Sequence, residues 1–165
     1  MAHTWNRAIH TDVEDIVKMS QGFYQSEIDK IFTPSPTRMG YHLHQAILNQ
    51  SYGVNDHIIG VARDESGRLV AWHWASRGKH LPYADEEMAV GEFIHVDLNQ
   101  RARDRIQLCI ECLEQWIAWC MLHNIPVLCS TSIREEQTAF MRLHDQLGFK
   151  RNGSIAYKKI GETNA

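Results

Sequence analysis

The chain has 165 residues, of which 44% are hydrophobic and 22% charged, the balance of a soluble globular protein and a length that fits one domain over 1–165. That apolar content excludes a disordered chain, and a domain of this size buries roughly 70% of its unfolded surface without help from a metal or a disulfide. With 17 Lys and Arg against 20 Asp and Glu the net charge is −3, which argues against a surface built to coat nucleic acid or anionic membrane.

No stretch reaches the roughly 18 apolar residues of a membrane helix, and Met1–His10 lacks the basic start and apolar run of a signal peptide. The four cysteines, Cys109, Cys112, Cys120 and Cys129, are therefore read as reduced residues of a cytoplasmic protein.

In chain order, Thr4–Ile9 reads as a short strand, and Thr11-Asp12-Val13-Glu14 has capping-box spacing ahead of a helix that carries Val13, Ile16, Val17 and Met19. Thr33-Pro34-Ser35-Pro36 breaks the chain, and Pro36 opens a second helix to about Leu48. A hairpin follows: residues 57–62, a turn at Asp64-Glu65-Ser66-Gly67, then residues 69–74. Another strand runs over about Ala89–Asp97. A helix over Arg105–His123 carries Ile106, Ile110, Leu113 and Ile117 on an apolar face expected to meet a sheet, with Leu108, Cys112 and Trp119 widening it. Asn124 and Pro126 end that helix, Val127–Ser130 is a short strand, and a helix over about Glu135–Leu147 stops at Gly148. Ile155–Ile160 reads as a closing strand. An antiparallel meander with a late β-α-β crossover implies an α/β (α+β) fold, a mixed, mostly antiparallel sheet flanked by helices.

The segment Gln137-x-x-Phe140-Met141-x-Leu143-His144-x-x-Leu147-Gly148-Phe149 resembles the closing helix of the GNAT N-acetyltransferase superfamily, and Arg7-Ala8-Ile9-x-x-Asp12 resembles its opening strand and helix start. The resemblance covers nearly the whole chain and implies acetyl-CoA as the acyl donor, with a small-molecule or protein amine as acceptor. It places the donor's phosphates on Val96, Leu98, Arg101, Ala102, Arg103, Asp104, Arg105 and Ile106, with Gln137 on the closing helix. Backbone N–H groups at a helix start would hold the pyrophosphate there. Asp104 and Ile106 stand where the family pattern has glycines, so a charge and a branched side chain occupy the phosphate arm. Arg101, Arg103 and Arg105 can still attract phosphate, or form a solvated basic helix start.

The resemblance also implies an acid for the departing thiolate at His144, where many relatives have tyrosine, and a base for the amine at Glu92 or His95. Strand alternation puts Glu92 and His95 on opposite faces, so only one would face a given cleft, and His95 is preferred. Each of the three also has an ordinary structural reading: an exposed carboxylate and two hydrogen-bonded histidines. Cys109-x-x-Cys112 has metal-like spacing but no second pair, so no metal site is expected. Trp72 and Trp74 share a strand face and are expected to pack.

Two functions of different classes follow. One is an acetyl-CoA-dependent N-acyltransferase. The other draws on a similarity to bacteriophage-encoded GNAT-like proteins and is a non-catalytic virion structural or assembly protein, as a homo-oligomer or within the particle. An open cleft beside the 96–106 segment favours the first, and a cleft filled by side chains or by a neighbouring subunit favours the second.

Overall fold

The computed structural model describes residues 2–27, 31–53, 55–132 and 138–153. The expected closing strand at Ile155–Ile160 and the family-pattern residue Gln137 lie outside them. Strand β1 (His3–Arg7) leads through a 3-10 turn (His10–Asp12) into helix α1 (Val13–Gln21) and a short helix α2 (Tyr24–Glu27). Helix α3 (Pro36–Ser51) precedes strands β2 (His57–Asp64), β3 (Leu69–His80) and β4 (Glu87–Val96). Helix α4 (Ala102–Leu122), strand β5 (Val127–Ser130) and helix α5 (Thr138–Gln146) follow.

Local chemistry explains most of these boundaries. Asp12, rather than the Thr11/Glu14 pair, caps the first helical turn: its Oδ2 accepts from the Ile9 N–H at 2.8 Å, and Oδ1 accepts from Arg63 Nη2 at 2.6 Å. Ser35 Oγ accepts from the Arg38 N–H ahead of α3, and Pro36 occupies the first turn, where its missing N–H costs nothing. In the β2–β3 hairpin Asp64 Oδ1 accepts from the Ser66 and Arg68 N–H groups, and Gly67 takes the left-handed conformation the turn requires, φ +82°. Gly148 does the same after α5, φ +81°, and the Phe149 N–H closes on the His144 carbonyl.

The five strands lie in the order β1-β2-β3-β4-β5, antiparallel except for the parallel β4–β5 pair. Helices α1 and α3 cover one face through Val13, Ile16, Leu43 and Ile47 against Ile59, Val61 and Trp72. Trp72 and Trp74 both stack on Phe93 there, so they pack, as expected. Helices α4 and α5 cover the other face.

The buried face of α4 is centred differently from the expectation. Leu108, Cys112, Leu113, Trp116, Trp119 and Cys120 are its buried residues, whereas Ile110 and Ile117 are partly buried on the flank and Ile106 is 50% exposed. Apolar residues surround more than half of this helix, so periodicity alone does not select the side that meets the sheet.

Two contacts lock the register close to the site. Gly91 lies under the Trp116 ring and Gly60 under the His73 ring, each so close that a Cβ would collide with it. His73 is buried between them: it accepts from Trp116 Nε1 at its Nδ1 (2.9 Å) and donates from Nε2 to Gln115 Oε1 (3.1 Å).

Candidate active site

The β4–β5 ladder runs from Met88–Val127 to Gly91–Ser130 and extends no further among the described residues. Strand β4 continues to Val96, so beyond Gly91 that edge has no ladder partner among the described residues. A cleft of about 650 Å³ opens there, and its walls come from both faces of the sheet. Cys109, Trp116, Phe140, Leu143 and two cations, Arg105 and Arg142, reach it from α4 and α5, while Glu27 and Glu92 reach it from α2 and β4.

A bulge in β4 shapes the second wall. Trp74 pairs with Phe93 but Ala75 pairs with Gly91, which leaves Glu92 as the extra residue. The bulge breaks alternation, so Glu92 and His95 share a face, correcting the expectation that they oppose each other. Ser76 Oγ donates to Glu92 Oε1 at 2.6 Å, and His95 stands beside Trp72 and Phe93 on that same side.

His95 is 2% exposed and stacks on Phe23 with ring centroids 4.3 Å apart. Its Nε2–H donates to Glu27 Oε2 at 3.0 Å, and its Nδ1 lies 3.1 Å from Ser20 Oγ. The Ser20 hydroxyl donates to the Ile16 carbonyl at 2.8 Å, and turned about its own bond it donates to Nδ1 instead. The ring is thus satisfied both neutral and charged. His95 is among the residues that line the cleft, but its two nitrogens face Ser20 and Glu27, so neither is turned toward an acceptor.

His144 takes the hydrogen-bonded structural placement of its two readings rather than facing the cleft. It is 1% exposed and is not among the cleft walls, because its ring is held between α5 and β5. Nδ1 lies 3.0 Å from the Phe140 carbonyl, which only accepts, so Nδ1 carries the hydrogen. Nε2 therefore accepts from Ser130 Oγ at 2.7 Å. Ser130 does line the cleft, so the polar group reaching it from this pair is the serine hydroxyl.

Of the expected phosphate arm, Val96, Leu98, Ala102, Arg105 and Ile106 line the cleft, whereas Arg101, Arg103 and Asp104 do not. Arg101 and Arg103 are exposed, and Asp104 sits in the first turn of α4, where a carboxylate meets the positive helix end. Asp97 orders the loop ahead of α4: its Oδ1 accepts from the Asn99 N–H, Oδ2 accepts from Gln100 Nε2, and Arg68 pairs with it at 3.2 Å. For an acyl-CoA, the opening at Gly91 and Ser130 fits a thioester arm. The phosphate end keeps a helix start and one arginine but has Ile106 in place of an open approach.

Sequence reasoning missed Glu27, Ser130 and Arg142. Ser130 had a legible signal, a polar residue ending an apolar strand at a crossover, where open sheets place ligands. Burial raises the thiols elsewhere on α4, Cys112 well above its ordinary value and Cys120 to about 11, so both are inert core residues. Cys109, the other half of the Cys-x-x-Cys spacing, lines the cleft instead. Among the described residues no group of three or more metal-ligating side chains forms.

The five-stranded mixed sheet flanked by helices matches the GNAT acetyltransferase fold of solved structures. The chain is similar to an aminoglycoside 6'-N-acetyltransferase from Acinetobacter baumannii, with TM-score 0.69 and 15% identity over 98% of this chain and 100% of that one. It is similar to glucosamine-6-phosphate N-acetyltransferase from Arabidopsis thaliana, TM-score 0.65 and 19% identity over 98% and 100% of the two chains. A predicted acetyltransferase from Clostridium acetobutylicum, solved with acetyl-CoA, superposes with TM-score 0.71 and 12% identity over 96% and 97%. No protein-family model and no curated protein matches the sequence. Among the described residues no helix is long and apolar enough to cross a membrane.

Proposed function

We propose that the protein is an acetyl-CoA-dependent N-acyltransferase that acylates a cationic amine in the cleft between β4 and β5. The observation that carries this reading is the division of charge across the splayed sheet. Arg105 and Arg142 enter the cleft from the α4/α5 side, and Glu27 and Glu92 enter from the opposite side. A polyanionic donor suits the first wall and a protonated amine suits the second.

The residues then divide the work. Ala102 and Arg105 at the start of α4 would meet phosphate, Val96 and Leu98 would flank the arm, and Ile106 narrows the approach and weakens affinity. The open β4 edge offers backbone N–H groups to a thioester carbonyl, the donors such a reaction needs. When bound, acetyl-CoA supplies an activated acyl group. Glu27 is the group that takes the amine proton, with His95 and Ser20 behind it accommodating the change in charge. Glu92, held by Ser76, orients the ammonium group before it is deprotonated. The second proton that the nitrogen loses as the amide forms passes to the departing sulfur, and the Ser130 hydroxyl, turned from His144, would donate a hydrogen bond to that thiolate.

The side chains of this chain leave the cleft open, which favours the enzyme over a virion assembly role. The reading is tested by following thiol release from acetyl-CoA with a panel of primary amines. A rate that depends on the amine and falls about 10²–10⁴-fold in Glu27→Gln is expected. Release that ignores both the amine and Glu27 would remove the assignment.

A further inference from the structure

His10 opens the 3-10 turn ahead of α1, and His44 lies midway along α3. The two are 34 positions apart in the chain, yet their Nδ1 atoms face each other at 2.9 Å on the exposed surface. Their ring centroids are 5.1 Å apart and the planes are 26° from parallel. The backbone beneath each ring is fixed. Asp12 holds the turn through the Ile9 N–H and Arg63. Leu43 and Ile47, on the same helix as His44, are buried in the core. Gln50 ties the two elements together: its Nε2 donates to the Ala8 carbonyl at 3.2 Å, and its Oε1 accepts from the Ile59 N–H at 2.6 Å. The fold therefore sets the rings side by side, whatever they do for each other.

Facing nitrogens at this distance have two uses. One Nδ1–H can donate to the other Nδ1, but on an exposed surface water competes for that bond and little is gained. Two bare Nδ1 atoms can instead share a divalent ion, since neutral imidazole is a ligand for zinc, nickel and copper. With metal–nitrogen bonds of about 2.0–2.1 Å, nitrogens 2.9 Å apart subtend about 90° at the ion. Neighbouring ligands of a square-planar or octahedral ion make that angle, whereas a tetrahedral ion would need the nitrogens about 3.3 Å apart. Neither Nε2 has a protein partner among the described residues, so both can carry their hydrogen toward water, the tautomer that leaves Nδ1 bare.

We propose that His10 and His44 form a surface chelate for a divalent copper or nickel ion, with water completing the coordination shell. Among the described residues no third ligating side chain joins the pair. With no protein group on either Nε2 to raise the basicity of the rings, the site is one of modest affinity. Copper leads in intrinsic affinity for such ligands, and nickel shares the geometry. The ion binds the folded chain, because only the fold brings the two rings together. It joins the turn that starts α1 to α3, and so clamps the helical layer that carries Ser20 and leads into Glu27. The site is independent of the acyltransferase reading of the cleft.

The test is urea unfolding of the full chain with and without Ni(II), an ion that leaves the free cysteines unoxidised. An ion held by a short flexible stretch binds folded and unfolded chain alike and leaves the midpoint in place, whereas a site made by the fold raises it. Ni(II) should raise the midpoint of the intact protein in a saturable way, and His10→Ala and His44→Ala should each abolish the rise. In NMR spectra of the intact protein, substoichiometric Cu(II) should broaden the ring signals of His10 and His44 together, before those of the buried His73, His95 and His144. Should either variant be unstable without metal, that broadening decides the matter. A midpoint that Ni(II) leaves unmoved, or a rise that survives either substitution, would overturn the proposal. Cu(II) that broadens other rings while His10 and His44 stay sharp would overturn it as well.

Discussion

His73 carries a single protonation state because its partners leave room for only one. Trp116 Nε1 donates to Nδ1, so a proton added there would face an N–H, and burial already disfavours the charged ring. Burial lowers the pKa from 6.5 to about 4, with the Gln115 hydrogen bond a smaller opposing influence. The folded protein therefore binds fewer protons at this site than the unfolded chain between those two values. The stabilisation is complete above pH 6.5, falls as the pH drops towards 4, and changes little below that. At roughly 1.4 kcal/mol for each pH unit, His73 should account for about 3 kcal/mol of acid sensitivity. Urea unfolding between pH 7 and pH 4 checks this against His73→Gln, which should flatten that part of the profile. An identical slope in the variant would mean that His73 is not the residue titrating. Glu27 belongs to the same scale but was not legible in the sequence. It falls in a short polar stretch with no periodicity, and only tertiary packing brings it to His95, 68 positions along the chain.

Strand β4 shows where a one-dimensional pattern stops informing. The element itself was legible, as were the hairpin, the Pro36 helix start and the Gly148 stop, because each has local chemistry at its ends. The bulge at Glu92 had no such mark, and it alone moves Glu92 onto the face of His95. The face of α4 failed for a related reason, since Ile106, Ile110 and Ile117 look as apolar as the residues that reach the sheet. The junction of these two elements is tightest at Gly91 and Trp116, where even a methyl group has no space. Gly91→Ala should destabilise the protein by about 1–3 kcal/mol, the usual cost of overpacking. Pairing it with Trp116→Leu should recover part of that loss in a double-mutant cycle from urea unfolding. Strict additivity of the two changes would show that the ring and the strand do not press on each other.

Across the whole molecule, the cleft follows from one departure from regular pairing. The antiparallel part of the sheet, β1 to β4, is continuous, and β5 joins it in parallel with four pairs among the described residues, while β4 runs on to Val96. The gap admits groups from both helical layers, which is why cations come from one side and carboxylates from the other. Of the residues the resemblance assigns to the donor, Val96, Leu98, Ala102, Arg105 and Ile106 line the gap, whereas Arg101, Arg103 and Asp104 do not. The central claim is that an acyl-CoA occupies this gap with its phosphates near Arg105. Titrating acetyl-CoA into the protein by calorimetry tests it most directly, with Arg105→Glu as the comparison. The account expects saturable one-to-one binding of modest affinity, weakened at least about tenfold by the charge reversal, as befits a lost charge-assisted hydrogen bond of roughly 1.5–3 kcal/mol. No binding heat at millimolar acetyl-CoA, or binding that Arg105→Glu leaves unchanged, would contradict it.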